Sequence, residues 1–459
     1  MRSQDAVEHA LAVTQADRAV VIVRERSTAN LRWAANSLTS NGDMRSRDAT
    51  MVSIHDHPDG TRAGVVTRDI ASIDDVTALV TAADAVGREA DASPDAGEFA
   101  TVTDSSHWDD ELPVTSAAVF ADFAPQLAEV CASAAAAGRE LWGFAEHELT
   151  STFLGTSEGR RLRHDQPDGK IEFTGKSQQR TLSAWAGRHM PDFGHADVTE
   201  IAGEITQQLS WQAVRHPVSP GRHDVVLSPS AVSDLYVYLY WTASARDAAE
   251  GRTVFGKPGG GTRIGERLTD VPLTLASDPR APGRETAPFV VAEASTSVTS
   301  VFDNGLPLRA TRWISDGVLE NLLQTRHTAA LTGLPTTPYI DSLDLSVTGG
   351  RGSTLDLVAG MDRGLLVSTL WYIREVDPQN LLLTGLTRDG VYVVEGGEIV
   401  GATNNFRFNE SPVELMARIT AAGTTQSTLP REWNDDFTRI AAPALRFADY
   451  NMSTASQAS

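Results

Sequence analysis

The side chains able to do chemistry in this chain fall into a few short groupings. His147-Glu148 is the only His-Glu pair, and a metallopeptidase helix would need a second histidine at 151 or 152. Those positions hold Ser151 and Thr152, so the pair reads as a surface or strand-edge feature. His55-Asp56-His57 sets two imidazoles two residues apart, which on a strand puts them on one face and within reach of a shared ion. Two ligands without a third hold a metal poorly, and Pro58-Asp59-Gly60 follows at once, so a solvated approach to a turn is expected. Gly251-Arg252-Thr253-Val254-Phe255-Gly256-Lys257-Pro258 keeps phosphate-loop spacing until Pro258 replaces the Ser or Thr that binds magnesium. Gly259-Gly260-Gly261 then makes a flexible loop, and nucleotide binding is not expected. No Gly-x-Ser-x-Gly elbow occurs.

Tyr236, Tyr238, Tyr240 and Trp241 form an aromatic cluster. On a strand, alternation would put the three tyrosines on one side. Packing in a core or at a subunit interface is the reading preferred over substrate contact, because aromatic side chains favour buried interfaces. Cys131 stands alone in an Ala-rich helical stretch, which excludes an internal disulfide and a multi-cysteine zinc cluster and suits a small buried apolar side chain.

These groups must be positioned by a large soluble framework. At 459 residues, 41% hydrophobic and 22% charged, the chain is expected to form two domains of ordinary globular composition. A net charge of -21 repels polyphosphate, so nucleic acid is not an expected partner. No run approaches the ~18 apolar residues of a membrane span, no signal pattern opens the chain, and a cytoplasmic protein is expected.

Along the chain, a short helix gives way to β-hairpins. Ala19-Val20-Val21-Ile22-Val23 reads as a buried strand, Asn41-Gly42 as a hairpin turn and Pro58-Asp59-Gly60 as another. Ser72 and Asp75 start a helix whose apolar face carries Val76, Leu79, Val80, Ala83 and Val86. A second helix carries Phe120, Phe123, Leu127 and Val130 and stops at Gly138. Strands follow, with Ile171-Glu172-Phe173-Thr174 alternating in and out, and Asp197 and Glu200 cap a helix bearing Ile201, Ile205 and Leu209. Pro217, Pro220 and Gly221 then interrupt the chain, placing a boundary near residue 216 between domains of 1–215 and 216–459. The fold class expected is α+β: a mixed α/β N-terminal domain with antiparallel hairpins, then a mainly antiparallel β domain with a few helices such as 317–328. No tandem repeat occurs, and Ser453 to Ser459 reads as a frayed polar tail.

An ordered series of short segments is more specific than any of these motifs. It runs through Gly155 to Gly159, Ala213-Val214-Arg215-His216-Pro217, Val225-Val226-Leu227, Asp278-Pro279 and Phe302-Asp303-Asn304-Gly305-Leu306-Pro307. It continues with Asp316-Gly317-Val318-Leu319, Arg326-His327-Thr328-Ala329, Asp362 to Val367, Thr384-Gly385 and Glu395-Gly396-Gly397-Glu398-Ile399. This series resembles the TldD/PmbA peptidase family. Asn304, where the family commonly has an acidic residue, and Gly396, where it commonly has Asn, mark a divergent member.

The resemblance implies a division between zinc-bearing subunits and zinc-free partners. Zinc-bearing members carry a His-Glu-x-x-x-His helix shortly after the strand equivalent to Val225 to Leu227, and a cysteine near the C-terminus. Two imidazoles on one helix face a single ion, and the Glu between them deprotonates its water. Aligned with that motif stand Val237, Tyr238 and Thr242, none a plausible zinc ligand, and no histidine occurs between His223 and His327. The C-terminal cysteine is absent too. The resemblance also makes the aromatic segment a helix and gives the 251–258 loop no nucleotide role. It implies the TldE/PmbA branch: a non-catalytic subunit with no cofactor of its own, paired in a heterodimer or larger complex with a zinc-bearing TldD-like chain. The substrate would be an unfolded peptide, leader segments of modified peptides included, held as an added strand. Two other readings stay open: a self-sufficient peptidase with an atypical site, and a homomeric peptide-binding scaffold.

Overall fold

The computed structural model describes residues 1–459 except 101, 102, 178, 195 and 457–459. In the first part of the chain the elements are α1 (Ser3–Val13), β1 (Arg18–Ala34), β2 (Ser37–His57), β3 (Gly60–Asp69), α2 (Ile73–Glu89), α3 (Phe123–Ala136), β4 (Arg139–Thr156), β5 (Arg161–Ser177), β6 (Ser183–His189) and α4 (Val198–Trp211). The strands form one antiparallel sheet in the order β3-β2-β1-β4-β5-β6.

Alternation along β1 decides what each face of this sheet meets. Val21, Val23, Leu31 and Trp33 pack against the four helices. Val20 and Ile22 point the other way and join Val52, Ile54, Leu154 and Leu162 in a core completed by Phe289, Val301 and Phe302 from the second half of the chain. The two halves therefore share buried surface.

The second half contains β7 (Gly221–Leu227), α5 (Pro229–Trp241), α6 (Ala245–Ala249), β8 (Leu273–Ser277), β9 (Thr311–Ser315), β10 (Val318–Leu319), α7 (Arg326–Thr332), β11 (Leu343–Val347), α8 (Thr354–Ala359), β12 (Arg363–Asp377), β13 (Leu382–Glu395), β14 (Glu398–Ala402), β15 (Phe406–Glu410), α9 (Pro412–Met416), β16 (Ile419–Ala422), β17 (Gln426–Thr428), β18 (Ile440–Ala442) and β19 (Leu445–Ala455). One sheet runs β10-β9-β8-β11-β18-β17, and the other closes on itself as β12-β7-β19-β15-β13, with β12 pairing β13. Pairing is antiparallel throughout except β7 with β12 and β11 with β18. The molecule is thus α+β, as the segment pattern implies.

Both caps of α2 and α4 form as read: Ser72 Oγ accepts from Asp75 N, and Asp197 Oδ1 from Glu200 N at 2.9 Å. Cys131 is buried on α3, which Gly138 follows with φ +68°. Four readings need correction. Asn41-Gly42 lies inside β2 opposite Leu31 and Asn30, and the hairpin turns at Ala35 and Asn36, with φ of 47° and 64°. Asn36 wins because β4 holds it: its N donates to Leu141 O, its Nδ2 to Arg139 O, and its Oδ1 accepts from Leu141 N. Val86 is 47% exposed, because α2 buries a narrower stripe than its apolar residues allow. Residues 317–328 are not a helix: Asp316 and Gly317, both with positive φ, turn β9 into β10, and α7 begins only after the Thr325 cap. Ser453 to Ala455 continue β19 against β15, while 457–459 lie outside the described residues.

Candidate functional site

Helix α5 and its C-cap carry the three positions that the family resemblance singles out. Ser228 caps it, Pro229 occupies its first turn, and every residue from Pro229 to Tyr240 except Tyr238 is buried. A helix buried on all sides belongs inside a core, and the tyrosines therefore spread around it rather than lining one side of a strand. Tyr240 OH donates to Ile340 O and accepts from Ile340 N, both at 2.9 Å. Tyr236 is equally buried.

Val237 is wholly enclosed in this core. Tyr238 faces Trp433, ring centroids 5.7 Å apart, and Trp241 meets the same indole edge-on at 5.2 Å. Thr242 Oγ1 donates to Leu239 O at 3.0 Å. An aliphatic side chain, a phenol whose pKa burial raises, and a hydroxyl bonded to its own helix do not fit zinc.

Sequence reasoning missed the segment that covers this helix, residues 429–439. Trp433 Nε1 donates to Asp234 O and Glu432 N to Asp234 Oδ1, both at 2.9 Å. The Glu432 carboxylate accepts from Tyr372 N and Ile373 N, where β12 breaks register. Toward β5, Arg431 Nη1 donates to Glu172 Oε2 at 3.0 Å and Arg439 Nη2 to Asp168 Oδ2 at 2.6 Å, and Lys170 pairs with Asp435. A Trp among charged residues at 431–439 was the available signal, without indicating where it docks.

Beside the first turn of α5 lies a cavity of ≈ 500 Å³, bordered by β6, β17, α4 and α8. Both β6 and β17 are outermost strands: β6 pairs with β5 alone and β17 with β18 alone. Ser228, Ser230, Ser368, Thr424 and Thr428 line it with hydroxyls, and Trp211 and Tyr392 meet edge-on within its wall, centroids 5.0 Å apart. Two outer strands and hydroxyls at one cavity suit an extended main chain.

The tempting motifs go elsewhere. His147 is no surface feature: it is buried in β4, with Nδ1 2.7 Å from Thr115 Oγ1 and Nε2 3.0 Å from Pro191 O, while Glu148 pairs with Arg26. On β2, His55 is buried beside Gly87 and only His57 is exposed, so the solvated reading holds for one of the two. The loop 251–258 follows helix α6, and Lys257 pairs with Glu266. Among the described residues no group of three or more His, Cys, Asp or Glu is arranged to hold a metal, and no helix is long and apolar enough to cross a membrane.

A profile of the PmbA/TldA metallopeptidase C-terminal domain matches residues 220–454, just over half of the chain. The chain belongs to the PmbA/TldD family. Solved structures with this family's fold match along nearly the whole length. TldE from Thermococcus kodakarensis superposes with a TM-score of 0.75 at 15% identity, covering 98% of this chain and 99% of that one. A Thermotoga maritima protein named as a candidate modulator of DNA gyrase gives 0.73 at 14%, covering 98% and 100%. A Bacteroides thetaiotaomicron protein of similar name gives 0.71 at 13%, covering 98% and 97%. At such identities the likeness is one of fold. No curated protein matches the chain.

Proposed function

We propose that this chain is the metal-free subunit of a TldD/TldE-type peptidase pair, holding unfolded peptides while zinc in the partner subunit activates water. The observation that carries the reading is the trio on α5 and its C-cap: where the family's motif places His, Glu and His, this chain has Val237 in the core, Tyr238 on Trp433, and Thr242 bonded to the last turn of the helix. The cavity between β6 and β17 supports the peptide-holding half of the proposal, since pairing at a sheet edge grips main chain with little regard for sequence. A cytoplasmic location is part of the same reading, in keeping with a lone buried cysteine that asks for no oxidising compartment.

Purification of this chain alone, of its zinc-bearing paralogue alone, and of the two together tests it. The expected result is co-purification, with cleavage of an unfolded peptide by the mixture, chelator-sensitive and absent from this chain alone. Zinc at near-stoichiometric level in this chain alone, or chelator-resistant cleavage by it, overturns the proposal.

A further inference from the structure

The ≈ 500 Å³ cavity has charge at one end and aromatic surface at the other, and the direction of β6 sets the distance between them. Along β6, Ala184, Ala186 and Arg188 share the face that packs on α4, because Ala184 and Ala186 lie in one core with Ile201, Ile205 and Leu209. Arg188 Nη2 reaches Glu204 at 2.7 Å and Glu200 at 3.5 Å. At the other end of the strand, Gln212 Nε2 donates to Ser183 O, so the end of α4 that carries Trp211 lies at the Ser183–Ala184 end of β6. The charged residues lining the cavity are Arg188, Glu200 and Glu204, two carboxylates against one guanidinium, and the Glu200 side chain is 69% exposed. Gln208, 6% exposed and also lining the cavity, has an Oε1 without a partner, a buried acceptor open to a donor. Trp211 is half-buried, and Leu355 at the rim is 41% exposed.

We propose that this cavity selects extended peptides bearing a Lys or Arg and a bulky apolar side chain four residues apart on one face. The inference rests on the peptide-holding reading above and names its substrate class. A strand added outside β6 keeps the pleat of the sheet, so its side chains over α4 recur at every second residue. A residue beside Arg188 meets the exposed carboxylate of Glu200, which Arg188 holds only at 3.5 Å, and one beside Ala184, four positions and roughly 13 Å away, meets the end of α4 that carries Trp211. A net charge of -21 favours encounter with cationic peptides over anionic ones.

The test is fluorescence anisotropy with labelled, unstructured Gly/Ser-based peptides, run on this chain alone and on its complex with the zinc-bearing paralogue. One probe carries Lys and Phe four residues apart; the others move Phe to three residues, replace Lys by Glu, or replace Phe by Ser. The four-residue probe is expected to bind about tenfold tighter than each of the others. Glu200→Lys, at an exposed position whose loss leaves Arg188 on Glu204, is expected to reverse the choice between the Lys and Glu probes. Equal binding of the two spacing isomers, or an unchanged ranking in Glu200→Lys, overturns the selectivity while leaving the peptide-holding reading in place. Binding of no probe, by chain or complex, overturns both.

Discussion

Asp234 places a carboxyl group inside α5, wholly buried, with Oδ1 accepting from Glu432 N and Oδ2 without a partner. Burial pushes its pKa well above the usual carboxylate range; the Glu432 N–H opposes this, and the nearby Glu432 carboxylate adds to it. A carboxyl raised in the native state keeps a proton that the unfolded chain has released, so stability falls as pH rises from the unfolded value near 4 toward the folded one. Asp234→Asn keeps an acceptor for Glu432 N and removes the charge. It is expected to flatten that slope and to raise stability at neutral pH by about 1 kcal/mol or more. Urea midpoints of both proteins between pH 4 and pH 8 check this; parallel curves would show that Asp234 folds ionised at no cost. The sequence gives one sign of this group, a lone acid in an apolar helix, and its partner lies 198 residues away.

At the scale of elements, two connections that sequence patterns misplace or pass over hold strands in register. The β1–β2 turn depends on Asn36, whose side chain tolerates positive φ and exchanges hydrogen bonds with Arg139 O and Leu141 N. Asn36→Ala is expected to cost about 2 kcal/mol, from two lost hydrogen bonds and a left-handed alanine. Asn41→Ala, inside β2, is expected to change little, and thermal melts of the two variants separate the cases. The 429–439 segment is held by Arg431, whose guanidinium lies 5.0 Å from the ring of Trp185 and 4.7 Å from that of Trp371 while bonding Glu172. Arg431→Ala removes the cation from both rings and leaves Glu172 short of its charge partner, for an expected loss of about 3 kcal/mol. Arg431→Lys keeps charge without the plane and is expected to fall between. Hydrogen exchange at β6 and β12 is the readout, since both strands contribute a ring. Capped helices and strands with clear alternation were legible from local pattern. This clasp was not, because its strength comes from residues of β5, β6 and β12 that no local period connects.

Over the whole molecule, the apolar face of the first sheet carrying Val20, Ile22, Val52 and Ile54 is completed by Phe289, Val301 and Phe302, so units divided near residue 216 would share one core. We propose that such units exist but stay docked. The family was readable from an ordered series of segments, whereas this docking surface was not: each strand shows two apolar faces to the eye without saying what covers the second. A polar link between β5 and the 429–439 segment makes a pH dependence of that docking expected. Asp168 of β5 accepts from His189 Nε2 at 2.9 Å, Thr438 Oγ1 at 2.9 Å and Arg439 Nη2 at 2.6 Å, and Arg439 Nη1 reaches Asp341 at 2.6 Å. Burial alone would raise the Asp168 carboxyl; the His189 hydrogen bond and the Arg439 charge outweigh it and hold the pKa below the usual range. A depressed carboxyl contributes stability in full above its unfolded value near 4 and loses it as pH falls through the folded value. Asp168→Asn is therefore expected to cost about 3 kcal/mol at pH 7, where it leaves Arg439 with one carboxylate, and proportionally less as pH drops below 4. The acid limbs of the two proteins, followed by tryptophan fluorescence because Trp433 lies in the clasp, should converge. Limbs that stay parallel down to pH 2 would mean that this link forms without carrying the docking energy between the halves.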